Sequence, residues 1–140
     1  MTRLSTETEI AVRFSEVDSM GIVWHGNYAL YFEDAREKFG REYKLEYLYI
    51  HSQGFYAPLV ELHFDYKRPL RYKDRALVEI AYRPTDAAKL IFDYKITLIP
   101  DNEIIASGYS VQVFLDLNYN LMWELPEFMK KWKELNGINY

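Results

Sequence analysis

RFSEVDSMGIVWHGNYALYFEDAR, residues Arg13 to Arg36, changes its hydrophobic period part-way along, and that change decides how the rest of the chain is read. Leading into it, Glu7 to Phe14 alternates, with Ile10, Val12 and Phe14 facing one way, which predicts a short strand. Ser15 to Gly21 is polar and breaks the alternation. From Asn27 onward Tyr28, Tyr31, Phe32, Ala35, Phe39 and Tyr43 fall on one helical stripe, with Glu33, Asp34, Glu37, Lys38 and Arg41 on the remaining positions. Asn27 is of the type that caps a helix through its side chain. Glu37 and Arg41 have the favourable i,i+4 order. The reading is a strand end, a polar turn and one long amphipathic helix that stops near Gly40 to Lys44.

After that helix, Lys44 to Gly54 reads as a helical turn followed by a loop. From Pro58 the period drops to two: Val60, Leu62, Phe64 and Tyr66 point one way, Glu61, His63, Asp65 and Lys67 the other. Pro69 ends the run because it cannot donate to a ladder. A basic turn, Lys67 to Arg75, leads into β-like Ala76 to Arg83, and Pro84-Thr85-Asp86 signals a turn. Lys89 to Ile99 is a strand. Pro100-Asp101-Asn102 closes a hairpin into Glu103 to Leu115, with Gly108 as the expected bulge. After a turn at Asp116 to Asn120, Leu121 to Trp123 is expected to continue the sheet. Pro126 then opens a short C-terminal helix with Phe128, Met129, Trp132 and Leu135 on its apolar face. Lys130, Lys131 and Lys133 lie beside that face, and packing on its own domain is preferred to contact with a membrane surface.

Strands joined by tight turns are antiparallel, so the class is α+β: an antiparallel sheet of about five strands, one long central helix and a short C-terminal helix. Residues 1–140 form one domain. Leu90-Ile91-Phe92 is apolar on both strand faces, which oligomer packing explains most simply.

Aromatic residues make up 17% of the chain, a share suited to pockets and subunit interfaces. A net charge of -4 argues against nucleic acid as a partner. With no cysteine, thiol nucleophiles, disulfides and cysteine-ligated metals are excluded. His25, His51 and His63 lack metal-like spacing, so no metal is expected, and the reading calls for no cofactor. The N-terminal MTRLSTETEI has no apolar leader-like run and no window approaches a membrane span, so a cytoplasmic protein without membrane insertion is expected.

Nucleophile-elbow, dinucleotide, phosphate-loop and H-E-x-x-H motifs are all missing from the sequence. What stands out is Asp18 in the polar turn, Gly21 three residues on, and His25, Gly26 and Asn27 where helical periodicity begins. Asp18 suits an ordinary turn role, since Asp bonds its own downstream backbone. It also suits chemistry, as an acid held near the positive end of a helix, an arrangement that serves acyl transfer.

The segment D-x-x-G-I-V-W-H-x-N-Y-x-x-Y-F-E-x-A-R, Asp18 to Arg36, resembles the signature of the 4-hydroxybenzoyl-CoA thioesterase family of hotdog-fold enzymes. The likeness continues more weakly through Gly54, Pro58, Tyr66 to Pro69 and Asp74. It implies hydrolysis of an acyl-CoA, with Asp18 as nucleophile or general base and the backbone N–H of His25 polarising the thioester carbonyl. It also implies substrate contacts from Gly21, Trp24, Asn27, Glu33, Pro58 and Leu59, and homodimers or homotetramers whose sheets join, with sites between subunits. Some family members hold the CoA phosphates with a basic cluster before the fourth strand. Here that turn reads Pro84-Thr85-Asp86-Ala87-Ala88, and the substitute candidates are Arg68, Arg71 and Lys73. A non-catalytic acyl-CoA binding module and a hotdog dehydratase are the alternatives. The first would have no need of Asp18. The second usually pairs a catalytic His with a carboxylate.

Overall fold

The computed structural model describes residues 3–138. Its elements are β1 (Ser5–Ala11), two 3-10 turns (Phe14–Glu16 and His25–Asn27), α1 (Tyr28–Tyr43), α2 (Tyr47–Ser52), β2 (Phe55–Tyr56), β3 (Leu59–Tyr66), β4 (Arg75–Arg83), β5 (Lys89–Ile99), β6 (Glu103–Val113), β7 (Leu115–Asp116) and α3 (Glu127–Leu135). Five strands form one antiparallel sheet in the order β1-β4-β5-β6-β3. This is the hotdog architecture, with α1 lying against the sheet.

The stripe read from the sequence is the face α1 buries: Tyr28, Tyr31, Phe32, Ala35 and Phe39 are all inside. Phe32 is the centre of the contact. Its ring stacks on Tyr94 of β5 at 4.1 Å and on Phe64 of β3 at 4.9 Å between centroids. Burying such a ring contributes roughly 2–3 kcal/mol. Gly108 of β6 sits in register between Phe64 and Tyr94, directly beneath. A Cβ there would collide with the His63 carbonyl and lie 3.0 Å from Phe32 Cε2. Gly108 is therefore not a bulge but the clearance that lets the β3 backbone and the Phe32 ring of α1 approach together. The β5–β6 irregularity lies elsewhere, where Ile96 pairs with Ala106 but Thr97 with Ile104.

A second irregularity lies in β3, where the register shifts between Leu59 and Glu61. The alternation read from Pro58 holds for Leu62, Phe64 and Tyr66 and then breaks. Val60 is 59% exposed, and Leu59 instead pairs with Gln112 on the helix side. β3 is also a sheet edge, and Leu62 and Tyr66 stay exposed along it.

Other boundaries differ for local reasons. β1 ends at Ala11, because Val12 N–H goes to Asp74 O and Arg13 N–H to the Glu16 carboxylate, so Phe14 is an exposed turn residue and not a strand residue. Leu121 bridges Leu115 and does not extend the main sheet; β7 pairs with β2 as a separate ribbon. α3 docks on the end of α1 through Trp132, whose Nε1–H donates to Tyr43 O at 2.7 Å while its ring meets Tyr82 and Phe39. Leu135 is not part of that face and is exposed. Among the described residues no helix is long and apolar enough to cross a membrane.

Candidate active site

The polar turn folds back as a miniature antiparallel ladder. Trp24 N–H donates to Glu16 O at 3.0 Å, Val17 bridges Val23, and Asp18 N–H donates to Ile22 O at 2.8 Å. Gly21 closes it at φ +77°, a left-handed conformation that favours glycine, with its N–H on Asp18 O at 3.0 Å. The ladder is tied to the segment before β4, since Val23 N–H donates to Leu70 O at 2.8 Å and Ile22 bridges Arg71.

Asp18 fills the turn role its sequence position allowed and leaves one carboxylate oxygen over. Its Oδ1 accepts the Met20 N–H at 2.8 Å, which makes it a turn residue, while Oδ2 has no partner among the described residues. At the other end of the ladder the chain enters the 3-10 turn that precedes α1. There Asn27 N–H bonds Trp24 O and Tyr28 N–H bonds His25 O, but the N–H groups of His25 and Gly26 have no acceptor among the described residues. Two orphan donors thus stand at the positive end of a 16-residue helix. From Ile22, opposite Asp18, to His25 is three residues, roughly 10 Å of extended chain.

Three supports hold the helix start. Tyr66 at the end of β3 donates its hydroxyl to His25 O at 3.1 Å. The Trp24 ring lies 5.0 Å from that of His25 and packs so closely over Gly26 that a Cβ there would overlap it. Asn27 is not a side-chain cap as its residue type suggested. Its backbone is already helical, and its Nδ2 donates to Glu16 O at 2.8 Å.

Glu16 is the residue that sequence reasoning missed. It is 7% exposed, and its Oε1 accepts the Arg13 N–H at 2.8 Å and the Tyr31 hydroxyl at 3.0 Å, while Oε2 faces the Arg13 guanidinium at 3.3 Å. Burial, reinforced by the neighbouring Glu16 carboxylate, pushes the Tyr31 phenol well above its ordinary range, so it stays a donor. No periodicity marks Glu16. Only its spacing of three from Arg13 hinted at a local pair.

Glu33, Pro58 and Leu59 lie apart from Asp18 within one chain. Glu33 and Leu59 line a cavity of about 550 Å³ between α1, α2 and the start of β3, and Pro58 O accepts the Val113 N–H beside it. Leu59 is seven residues from Tyr66, roughly 23 Å along β3. Of the basic residues, Arg68 is committed to Glu103, Lys67 to Asp65 and Arg75 to Glu9. Arg71 and Lys73 form no ion pair among the described residues, and Arg71 adjoins the Asp18 ladder through its bridge to Ile22. Arg83, flanking the other turn, is held by Asp93.

Residues 12–133 match a family model described as the thioesterase-like superfamily. YneP of Bacillus subtilis (strain 168), provisionally named an acyl-CoA thioesterase, is 30% identical over 111 residues, which span 79% of this chain and 80% of its own. ATL3 of Arabidopsis thaliana, a chloroplastic acyl-acyl carrier protein thioesterase, is 30% identical over 113 residues, covering 81% of this chain and 60% of its own. Among solved structures, the DHNA-CoA thioesterase from Staphylococcus aureus superposes with a TM-score of 0.82 at 23% identity, over 96% of this chain and 93% of that one. That last likeness is one of fold.

Proposed function

The chain belongs to the thioesterase-like superfamily, and from that membership we propose that it hydrolyses an acyl-CoA to the free acid and CoA at the site between Asp18 and the start of α1. Thioester hydrolysis is the activity its named relatives carry, and it is the activity of this enzyme. The observation that carries the assignment of residues is the pairing of one uncommitted carboxylate oxygen, Asp18 Oδ2, with two uncommitted helix-start donors, His25 N–H and Gly26 N–H.

The chemistry asks little more. An alkyl thiolate, with a parent pKa of roughly 8.5, leaves readily without a strong general acid. The orphan N–H groups take the developing oxyanion, where in other enzymes one such donor is worth about 10²–10³ in rate. Asp18 then acts in one of two ways. As a base it takes a proton from water, whose oxygen bonds the carbonyl carbon as the C–S bond breaks. As a nucleophile it bonds that carbon itself, expelling the thiolate, and water opens the resulting mixed anhydride. Both routes end with the acid and CoA. Gly21, Trp24 and Asn27 would shape the loop around the reacting carbon, and the freedom of Arg71 and Lys73 from ion pairs among the described residues supports their meeting the phosphates.

The match from Asp18 to Arg36 supports a finer placement within the 4-hydroxybenzoyl-CoA thioesterase family. The β3 edge supports a homodimer, and its exposed Leu62 and Tyr66 give an unpaired ladder an apolar border. Two such edges paired antiparallel about their midpoint would set Leu59 of one subunit beside Tyr66 of the partner subunit. Each cavity, with Glu33, Pro58 and Leu59, would then serve the helix start of its partner. Homotetramers follow by stacking of such dimers.

Thiol release from short, medium and long aliphatic acyl-CoAs and from benzoyl- and 4-hydroxybenzoyl-CoA tests the reading. Asp18→Asn keeps the Oδ1 acceptor for Met20 N–H, so it folds as the parent does, and its kcat drops roughly 10²–10⁴-fold. Near-normal turnover in that variant would remove Asp18 from the mechanism.

A further inference from the structure

Alternate residues of β3 follow α1 toward its start. Phe64 stacks on Phe32 at 4.9 Å, and Tyr66, two residues on, meets the Tyr28 ring edge-on at 5.1 Å between centroids. Two residues of strand span roughly 7 Å and four of helix roughly 6 Å, so the two rows keep step. Tyr28 is the first residue of α1, and the Tyr66 hydroxyl reaches past it to donate to His25 O at 3.1 Å. Tyr66 is 47% exposed, so water could replace that acceptor at little cost to folding. The value of the bond lies in what it holds.

His25 O shares a peptide unit with Gly26 N–H, one of the two donors that have no acceptor among the described residues. The unit is planar and trans, so its N–H points opposite to its C=O. Two donors converge on the oxygen, Tyr66 O–H from the strand and Tyr28 N–H from the first turn of α1. Held at two points, the peptide plane cannot swing, and Gly26 N–H is aimed opposite to the Tyr66 hydroxyl. The Trp24 ring packs over Gly26 and closes the remaining space. A hydrogen bond accepted by the carbonyl also polarises the conjugated unit and makes its N–H a stronger donor.

We infer that Tyr66 is a positioning residue for thioester hydrolysis: from the end of β3, its hydroxyl sets the plane of the His25–Gly26 peptide and so aims Gly26 N–H at the oxyanion. The inference rests on the thioesterase reading above and extends the site to a residue 41 positions along the chain from His25. Burial holds the Tyr66 phenol above its ordinary value, so it remains a donor throughout the neutral range.

Tyr66→Phe keeps the ring against Tyr28 and Phe64 and removes only the hydroxyl. On the acyl-CoA that the parent hydrolyses fastest, its kcat should fall about 10–100-fold, with KM within about twofold and sedimentation unchanged. A second variant carries 3,5-difluorotyrosine in place of Tyr66, which keeps the hydroxyl but ionises near neutral pH and then cannot donate. Its kcat should match or exceed the parent's at about pH 6 and fall toward that of Tyr66→Phe by about pH 9, where the parent phenol is still protonated. Tyr28 and His25 stand beside the hydroxyl on the helix side, and Lys67 and Arg68, next along the chain, are held by Asp65 and Glu103. Parent and variant share all of these, so a difference between their pH profiles belongs to Tyr66. Thiol release by the parent with kcat unchanged in Tyr66→Phe, or with parallel pH profiles, would overturn the role of Tyr66 and leave the enzymatic reading standing. A Tyr66→Phe protein that loses activity by falling apart into monomers would assign the hydroxyl to assembly and overturn the positioning role. No thiol release from the parent would overturn the thioesterase reading, and the role of Tyr66 with it.

Discussion

Glu16→Gln should loosen the reactive loop without emptying the core, and its effect can be worked from the bonds in place. The carboxylate accepts Arg13 N–H at 2.8 Å and Tyr31 O–H at 3.0 Å on one oxygen, and meets the Arg13 guanidinium at 3.3 Å on the other. The guanidinium is 74% exposed, so that contact contributes little, on the order of 0–1 kcal/mol. The two inner bonds are to a charged acceptor and are worth about 1.5–3 kcal/mol each, against about 0.5–1.5 kcal/mol for neutral ones. The amide keeps one oxygen for them, so each weakens by roughly 1–1.5 kcal/mol, and relief from burying a charge returns part of that. A net loss of about 2 kcal/mol in urea unfolding at pH 7 is expected. Tyr31→Phe removes one of the two donors, and combining it with Glu16→Gln should give less than the sum, with a coupling of about 1 kcal/mol. Function should follow, because the Glu16 carbonyl holds Trp24 N–H and the Asn27 amide, and these set where His25 and Gly26 stand. Small misplacement of a reacting group costs up to about 10²-fold, so kcat should fall roughly 10–100-fold with a smaller change in KM. Stability within about 0.5 kcal/mol of the parent together with unchanged kcat would refute the view that this buried carboxylate anchors the site.

Gly108→Ala should lower stability by roughly 1–3 kcal/mol in the same urea assay, because its methyl group meets the His63 carbonyl and the Phe32 ring; a neutral result would show that α1 is not pressed against β6. Leu62→Arg, placed on the exposed β3 edge, should shift sedimentation velocity from dimer to monomer and abolish thiol release, whereas an intact dimer would move the interface elsewhere. Alkaline pH should unfold the protein through its buried phenols. Burial raises Tyr82 to about 12 and also raises Tyr28, Tyr31 and Tyr94 above 10. Below pH 10 these groups are neutral in both states and their contribution is intact. Above it the unfolded chain ionises first, so the thermal midpoint should hold from pH 7 to 9 and fall as pH rises through about 12. A midpoint flat across that range would contradict the burial of these rings.

The sheet and α1 were legible because their signals are local. A stripe at helical spacing and a run at period two each report a buried face, and the buried α1 residues are those the stripe picked out. Where those readings failed, a distant contact had intervened. Val60 looked like a member of the inner set, but a register shift against β6 turned it out and brought Leu59 in. Gly108 looked like a bulge because glycine inside a strand often marks one; its reason is a ring from a helix more than seventy residues away. Leu121 to Trp123 had the composition of a strand, but Leu121 bridges Leu115 beside the β2–β7 ribbon, away from the open edges of the main sheet.

The site divides along the same line. Asp18 and His25 could be proposed from one continuous stretch, because a turn acid and a helix start are neighbours along the chain before they are neighbours in space. Glu16 could not. The importance of Glu16 lies in a tyrosine hydroxyl fifteen residues on. Satisfaction of a polar group is a property of its surroundings, and a string of letters does not display it. Residues that bond the reacting atoms can therefore be proposed from sequence, whereas those that position the loop emerge only when every buried donor and acceptor has been accounted for. In this protein that accounting leads from the turn at Asp18 to the buried Glu16 carboxylate that holds Arg13 and Tyr31.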